Sequence, residues 1–384
     1  MVAIIWTTTS EGWLGMRIAY ISRHPAPYRD PVLARIVKDD RVNVEVFNEL
    51  KGDPGHSFWQ LESHGYEAVD LFPRPMCWFG KVVYLIRKFS FSNYDFVLWP
   101  SFITSSIVVA MFVRAVRGAR FGFVADTVAE SRGGILRKWI KRYIIGRVSL
   151  IFVPGNKGRM FWKDNYMIPD HRLVSGAYAL ENQVIRSTIN ERVRHRNEFR
   201  AKLGIGGRDI VFLMVANMIP TRHYPITSNG FLEFAKSVSG VKFLMVGTGP
   251  DAPKMKEQAR VHKELIVRDG VSFDEMLSLY AIADVYVHGG VEPASTALLI
   301  GAIAGLPLVT SAAVGCSYDV VREGRSGVLV EDYKDPRAWA DAFKKIMSIQ
   351  ESWSSYGVEA ARLAESLDAS VVSRNLIDAI LSKK

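Results

Sequence analysis

The sequence predicts an α/β protein made of two doubly wound parallel-sheet domains. Apolar, β-branched runs such as RIAYIS, DIVFLMV and LPLVTS alternate with helix-length segments, the spacing of strand–helix–strand units. These runs are apolar over most of their length, as expected of strands buried in a parallel sheet. The 384 residues are enough for two full-sized cores.

Composition narrows the class. Hydrophobic residues make up 48% and charged residues 23%, ordinary values for a globular protein. The two cysteines, Cys77 and Cys316, are far apart in sequence, so no disulfide framework or Cys/His metal site is expected, and a reducing compartment fits. Net charge is +10, and the first 190 residues, with 25 basic and 16 acidic side chains, carry +9 of it. A solvated face or attraction to an anionic partner such as a membrane surface explains that bias. No basic run is interleaved with stacking aromatics, so nucleic acid is not an expected partner. The opening MVAIIWTTTSEGWLG lacks a signal peptide's basic start and cleavage-type end. Residues 1–15 read as an extension or a misplaced start before Met16. No apolar run reaches spanning length, since Arg114 cuts IVVAMFVRAV. The expectation is a cytoplasmic chain without transmembrane helices, for which a peripheral place at the inner face of the membrane stays open.

In order, residues 16–185 form the first domain. RIAYIS, the helix DPVLARIVKD and VNVEVFNE make its first strand–helix–strand unit. YDFVLWPS, RFGFVADT and SLIFVPG supply further strands. GGILRKWIKRYIIGR is a basic amphipathic helix, which suits a membrane surface or a sheet-packed helix with its cations in solvent. Residues 186–208 are charged and helical, then glycine-rich, and read as a linker and domain boundary. Residues 209–365 form the second domain, and 366–384 a C-terminal helix. VKFLMVGTGP ends in a turn where Gly247 and Gly249 give only GxG, without the third glycine of a dinucleotide site.

The organising stretch is Tyr286–Val330. DVYV is a strand that breaks at HGG, Glu292 follows, STALLIGAIAG is a buried helix ended by Gly305 and Pro307, and LPLVTS is the next strand. Ligands of such folds sit at the carboxyl ends of strands and the amino ends of helices, where Glu292, Ser295 and Thr296 fall.

The stretch resembles the donor segment of retaining GT-B glycosyltransferases of family 4. EPASTALLIGAIAGLP and GCSYDVVREGRSG stand at the spacing of that family's EPWGLVVNEAMACGLP and GCAPDLV. The resemblance implies two Rossmann-like domains facing across a cleft, with the last helix returning to the first domain. It implies a metal-independent transferase without a cofactor, using a nucleotide sugar (UDP- or GDP-linked) as substrate. Glu292 matches the family's first Glu, which faces the donor sugar, whereas Ile300 replaces the second, which holds the ribose. VANMIPTRH stands where the family reads VGRLVPEKG. Asn217 therefore replaces an Arg, Arg222 keeps the second cation in kind for the diphosphate, and His223 beside it offers a further donor. Gly247, Gly249, Ser295 and Thr296 complete the expected donor site. In the first domain, APYRDP resembles a loop of one family subset, which makes Tyr28 and Arg29 cleft candidates or else a plain turn. Asp126, an acid at a strand end, is a candidate to orient or deprotonate the acceptor, or a helix cap with Thr127.

The resulting expectation is a glycosyltransferase acting on a glycan or lipid-linked acceptor in bacterial-type surface polysaccharide, lipopolysaccharide or glycolipid synthesis. The alternative, motivated by Ile300 and Asn217, is a catalytically silent GT-B protein serving as a binding or partner subunit.

Overall fold

A computed structural model describes residues 15–26, 28–50, 65–102, 104–125 and 134–382. Among these, two wholly parallel sheets carry the fold. The first has seven strands: β1 (Met16–Ser22), β2 (Val42–Asn48), β3 (Ala68–Asp70), β4 (Phe96–Trp99), β5 (Phe121–Val124), β6 (Leu150–Val153) and β7 (Leu173–Ser175). Their order is β3-β2-β1-β4-β5-β6-β7. The second has six: β8 (Ile210–Val215), β9 (Val241–Val246), β10 (Leu265–Arg268), β11 (Val285–His288), β12 (Leu308–Ser311) and β13 (Gly327–Val330). Their order is β10-β9-β8-β11-β12-β13. Each order reverses once, between β1 and β4 and between β8 and β11, and such a reversal opens a crevice at the strands' carboxyl ends.

Both faces of each sheet are covered. β4 reads FVLW, β6 LIFV and β12 LVTS, with every residue buried. The helix Ser105–Val116 packs the first sheet, and Arg114 within it is buried too. Its guanidinium donates to the carbonyls of Phe89, Tyr94 and Arg120, which satisfies the cation without a carboxylate. Burial pulls this guanidinium down to about 10. No helix among the described residues is long and apolar enough to cross a membrane.

The segment 186–208, read from its charge as a linker, is docked. The helix Asn182–Val193 buries Ile185 and Ile189 in one core with Tyr280 and Leu298 of the second domain. From the helix Arg196–Lys202, Arg200 donates to the Ile282 carbonyl and to Asp284 at 2.7 Å, and Arg196 reaches the same carboxylate at 2.5 Å. Cations of this linker thus cap carbonyls just before β11.

The last helix, Ala369–Leu381, leaves the second domain and buries Val372, Leu376 and Ile377 against β1 and β6 side chains of the first. Gly176, in the left-handed region at φ 114°, is where it comes closest, since a Cβ there would lie 2.4 Å from Val372. Leu180 and Asp368 pair where the chain crosses between domains, with Ala369 N–H on the Leu180 carbonyl at 2.8 Å and Asn182 N–H on the Asp368 carboxylate at 3.0 Å.

Candidate functional site

A cavity of 440 Å³ opens at the reversal of the second sheet. It is framed by the loops that follow β8, β9, β10 and β11, and Tyr28 and Tyr178 of the first domain close one side. Those two rings stack at 4.6 Å.

The loop after β11 sets the polar floor. Glu292 accepts from Arg222 Nη2 at 2.6 Å through one oxygen and from His288 Nε2 at 2.5 Å through the other. Burial pushes the Glu292 carboxyl up, but His288 and then Arg222 outweigh it and hold the group below its ordinary value. It is therefore a carboxylate at neutral pH. The convergence depends on Gly290, where a Cβ would come within 2.9 Å of Arg222 and 3.0 Å of His288. The HGG break in the sequence is thus room for this cluster.

The helix Thr296–Ile303 begins at the cavity wall. Ser295 caps it, its Oγ accepting from Leu298 N–H at 3.2 Å. The Ser295 amide is taken by the buried Cys316 thiol at 3.2 Å. The first-turn residues Thr296 and Ala297 line the cavity at the positive end of the helix. Gly315 lets the loop after β12 cross behind this start, where a Cβ would lie 1.6 Å from the Pro293 carbonyl. Gly247 and Gly249, both in the left-handed region, press against the Ala216 and Met218 carbonyls and hold the loop after β9 beside the loop after β8.

Of the residues singled out from sequence, Tyr28, Asn217, Arg222, Gly247, Glu292, Ser295 and Thr296 all line the cavity. Gly249 shapes it from behind. His223 does not reach it. Its backbone is left-handed at φ 51°, which turns the ring onto Tyr333 at 5.4 Å. Burial, together with Lys334, pushes that imidazole below its ordinary value. Arg29 is buried in the first domain, donating to Ser22 Oγ at 2.5 Å. Asp126 lies outside the described residues. Ile300 is fully buried in the core of the second domain and contributes nothing to the cavity wall. Sequence reasoning missed His288, Tyr178 and the apolar wall of Val271, Phe273 and Met276. The spacing of His288 four residues before Glu292 was the available signal.

The domains also touch outside the cavity. Asp319, after β12, accepts from the amide of Asn156 at 3.0 Å, at the start of the helix Asn156–Tyr166. Lys157 donates to the Ala312 carbonyl at 2.8 Å. Burial pushes the Asp319 carboxyl up to about 7, against the opposing pull of the Asn156 amide.

Two parallel-sheet domains sharing a cleft, with the cavity at the second sheet's carboxyl edge, define a GT-B protein. Residues 195–362 match the family described as Glycosyl transferases group 1, a match that spans less than half of the chain. Spore coat protein SA of Bacillus subtilis (strain 168) is 26% identical over 188 residues, 46% of this chain and 49% of that one. Alpha-monoglucosyldiacylglycerol synthase of Acholeplasma laidlawii is 25% identical over 165 residues, 38% of this chain and 40% of that one. The chain therefore spans about half, or less, of the length of these relatives. Anabaena Alr3699/HepE, solved in complex with UDP, superposes with a TM-score of 0.71 at 14% identity, covering 96% of this chain and 100% of that one, a likeness of fold.

Proposed function

We propose that the protein transfers a sugar from a nucleotide-sugar donor to a glycan or lipid-linked acceptor in surface polysaccharide or glycolipid synthesis. The observation that carries this is the Arg222–Glu292 pair set beside the open start of the helix Thr296–Ile303, in a cavity with an apolar end. The first-turn amides and Arg222 take the diphosphate. Val271, Phe273 and Met276 take the base. As the sugar leaves, negative charge grows on the diphosphate, and the fixed guanidinium and helix start stabilise it. Asn217 and Thr248 also line the cavity and offer neutral hydrogen bonds. Retention of configuration follows the family resemblance, and Asp126 is the proposed group on the acceptor side. The bound UDP of the Anabaena neighbour favours a UDP-linked donor. A calorimetric screen of UDP-, GDP-, ADP- and TDP-sugars, followed by turnover on candidate acceptors, tests the reading. Binding of one donor class with turnover is expected, and no binding to any donor overturns it.

The silent reading is favoured by one observation, the burial of Ile300 where the family carries a ribose-binding Glu. It predicts donor binding without turnover on any acceptor, so the same screen separates the two.

An anionic membrane surface is the proposed setting, at the cytoplasmic face. On the helix Ile135–Arg147, Ile135 is 91% and Trp139 56% exposed, one turn apart, flanked by the exposed cations Lys138 and Arg142. A solvated helix face does not ordinarily hold Ile and Trp in water, whereas a bilayer interface takes both them and the cations. Vesicles rich in anionic lipid should pull the protein down in sedimentation, and neutral vesicles should not. Ile135→Glu with Trp139→Glu should abolish that binding. Equal binding to both vesicle types rules out the electrostatic half of the reading.

A further inference from the structure

His288 is fully buried at the end of β11, its ring forming part of the cavity floor. Neither the family resemblance nor the expected donor chemistry assigns it a task. Its surroundings do. Nε2 lies 2.5 Å from Glu292 Oε1, and a carboxylate only accepts, so the proton of this bond sits on Nε2. Nδ1 lies 3.3 Å from the Tyr286 hydroxyl, which also reaches the Val215 carbonyl at 3.4 Å. Tyr286 is itself stacked on Tyr280, from the helix Phe273–Ile282, at 5.3 Å. The backbone of His288 is held as well, its carbonyl accepting from Thr310 of β12 at 3.3 Å. The imidazole is therefore clamped from its own strand, from the adjacent strand and through the stacked tyrosines.

The other end of the cluster is Arg222. Its Nη2 contacts Glu292 Oε2 at 2.6 Å and its Nη1 donates to the Val291 carbonyl at 3.1 Å. Both oxygens of Glu292 are thus engaged by the chain's own donors. Two of the five guanidinium N–H groups are used in this way, which leaves others for a ligand oxygen.

We propose that His288 is a positioning residue: it fixes the Glu292 carboxylate, and through it the Arg222 guanidinium, in the arrangement that meets the donor diphosphate. Glu292 then acts through Arg222 rather than by touching the sugar. This rests on the donor reading above for its ligand, but the clamp itself is a property of the free protein. An arginine on a loop has several rotamers, and losing them on binding weakens the ligand. A carboxylate fixed by a buried imidazole removes that loss beforehand, as outer partners of a ligating residue do at metal sites.

Three forms of the full chain test it: native, His288→Phe and His288→Gln. Phe keeps the ring volume and removes the donor, whereas the Gln amide nitrogen reaches about as far as Nε2. Two readouts are needed. Nitrogen-15 NMR of the Arg222 guanidinium, assigned by its disappearance in Arg222→Lys, reports the clamp without ligand. Slowly exchanging signals are expected in the native chain and in His288→Gln, and their loss in His288→Phe. Calorimetry with UDP and with inorganic pyrophosphate reports the consequence. His288→Phe should weaken both by about tenfold, and His288→Gln should recover most of that. Unchanged Arg222 signals in His288→Phe, or a His288→Gln that behaves like Phe at the native unfolding temperature, overturns the proposal. A native chain that shows the NMR clamp but binds neither probe leaves the clamp standing and fails the donor reading instead.

Discussion

Arg222→Ala is expected to bind UDP at least about a hundredfold more weakly than the native chain, because on the proposed donor reading two charge-assisted hydrogen bonds to the diphosphate, each contributing about 1.5–3 kcal/mol, are lost together. On the same proposed reading, transfer is expected to fall by at least the same factor, since the guanidinium would also face the charge that develops as the sugar departs. The comparison variant is Arg222→Lys. It keeps the charge but cannot reach Glu292 and the Val291 carbonyl at once, as the native fork does. It should therefore fall between native and Ala. Calorimetry gives the affinities, and thermal unfolding separates them from stability, because the Ala variant also leaves Glu292 without its guanidinium partner. An Ala variant with native affinity for UDP removes Arg222 from the site. The crowding around Glu292 also changes how that residue should be probed. Glu292→Ala would strip the Arg222 guanidinium and the buried His288 imidazole of their common partner, so Glu292→Gln is the cleaner test.

The second large effect is on stability, and its sign depends on pH. The Asp319 carboxyl is pushed up to about 7 by burial, from an ordinary 3.8. The folded chain therefore binds this proton more tightly than the unfolded chain. The stability this group contributes is fully present below about pH 4 and is lost as pH rises through 7. A gap of about three units at 1.36 kcal/mol each sets an upper limit on the order of 4 kcal/mol at pH 8. Asp319→Asn keeps an oxygen for the Asn156 amide but carries no charge. Its unfolding midpoint should exceed that of the native protein by several degrees at pH 8, with the gap closing at pH 4. Native and variant chains that lose stability in parallel over this range exclude Asp319 as the titrating group.

The fold was legible because parallel strands buried on both faces leave continuous apolar runs, as in LIFV and LVTS, and because the helix after Glu292 carries no charge. Half of the site was legible for the same reason, since Glu292, Ser295 and Thr296 must fall where such a strand ends. What stayed hidden depends on backbone direction. His223 sits next to Arg222 in sequence, yet a left-handed backbone sends its ring the other way. Arg29 looked like a cleft cation, but a short tie to Ser22 folds it inward. His288 reads as the last residue of a strand, and only the close packing at Gly290 brings it against Glu292. That arginines of 186–208 dock on the second domain could not be read locally, because the carbonyls they cap lie some eighty residues further along the chain.

The paired crossings at Leu180 and Asp368 have a mechanical consequence. Two lengths of chain bonded side by side form a ribbon, and a ribbon anchored at both ends bends about one line far more easily than it twists. Relative motion of the two sheets is thereby reduced to a single rotation. Tyr178 lies two residues from that line, so the aromatic wall of the cavity stays close to the axis as the cleft opens. The Asn156–Asp319 contact has no such tether and must break for the cleft to part. Opening then costs at least the loss of contacts at a buried carboxylate and at the Ala312 carbonyl, so the pace of any release from the cavity becomes a property of those contacts as much as of the cavity.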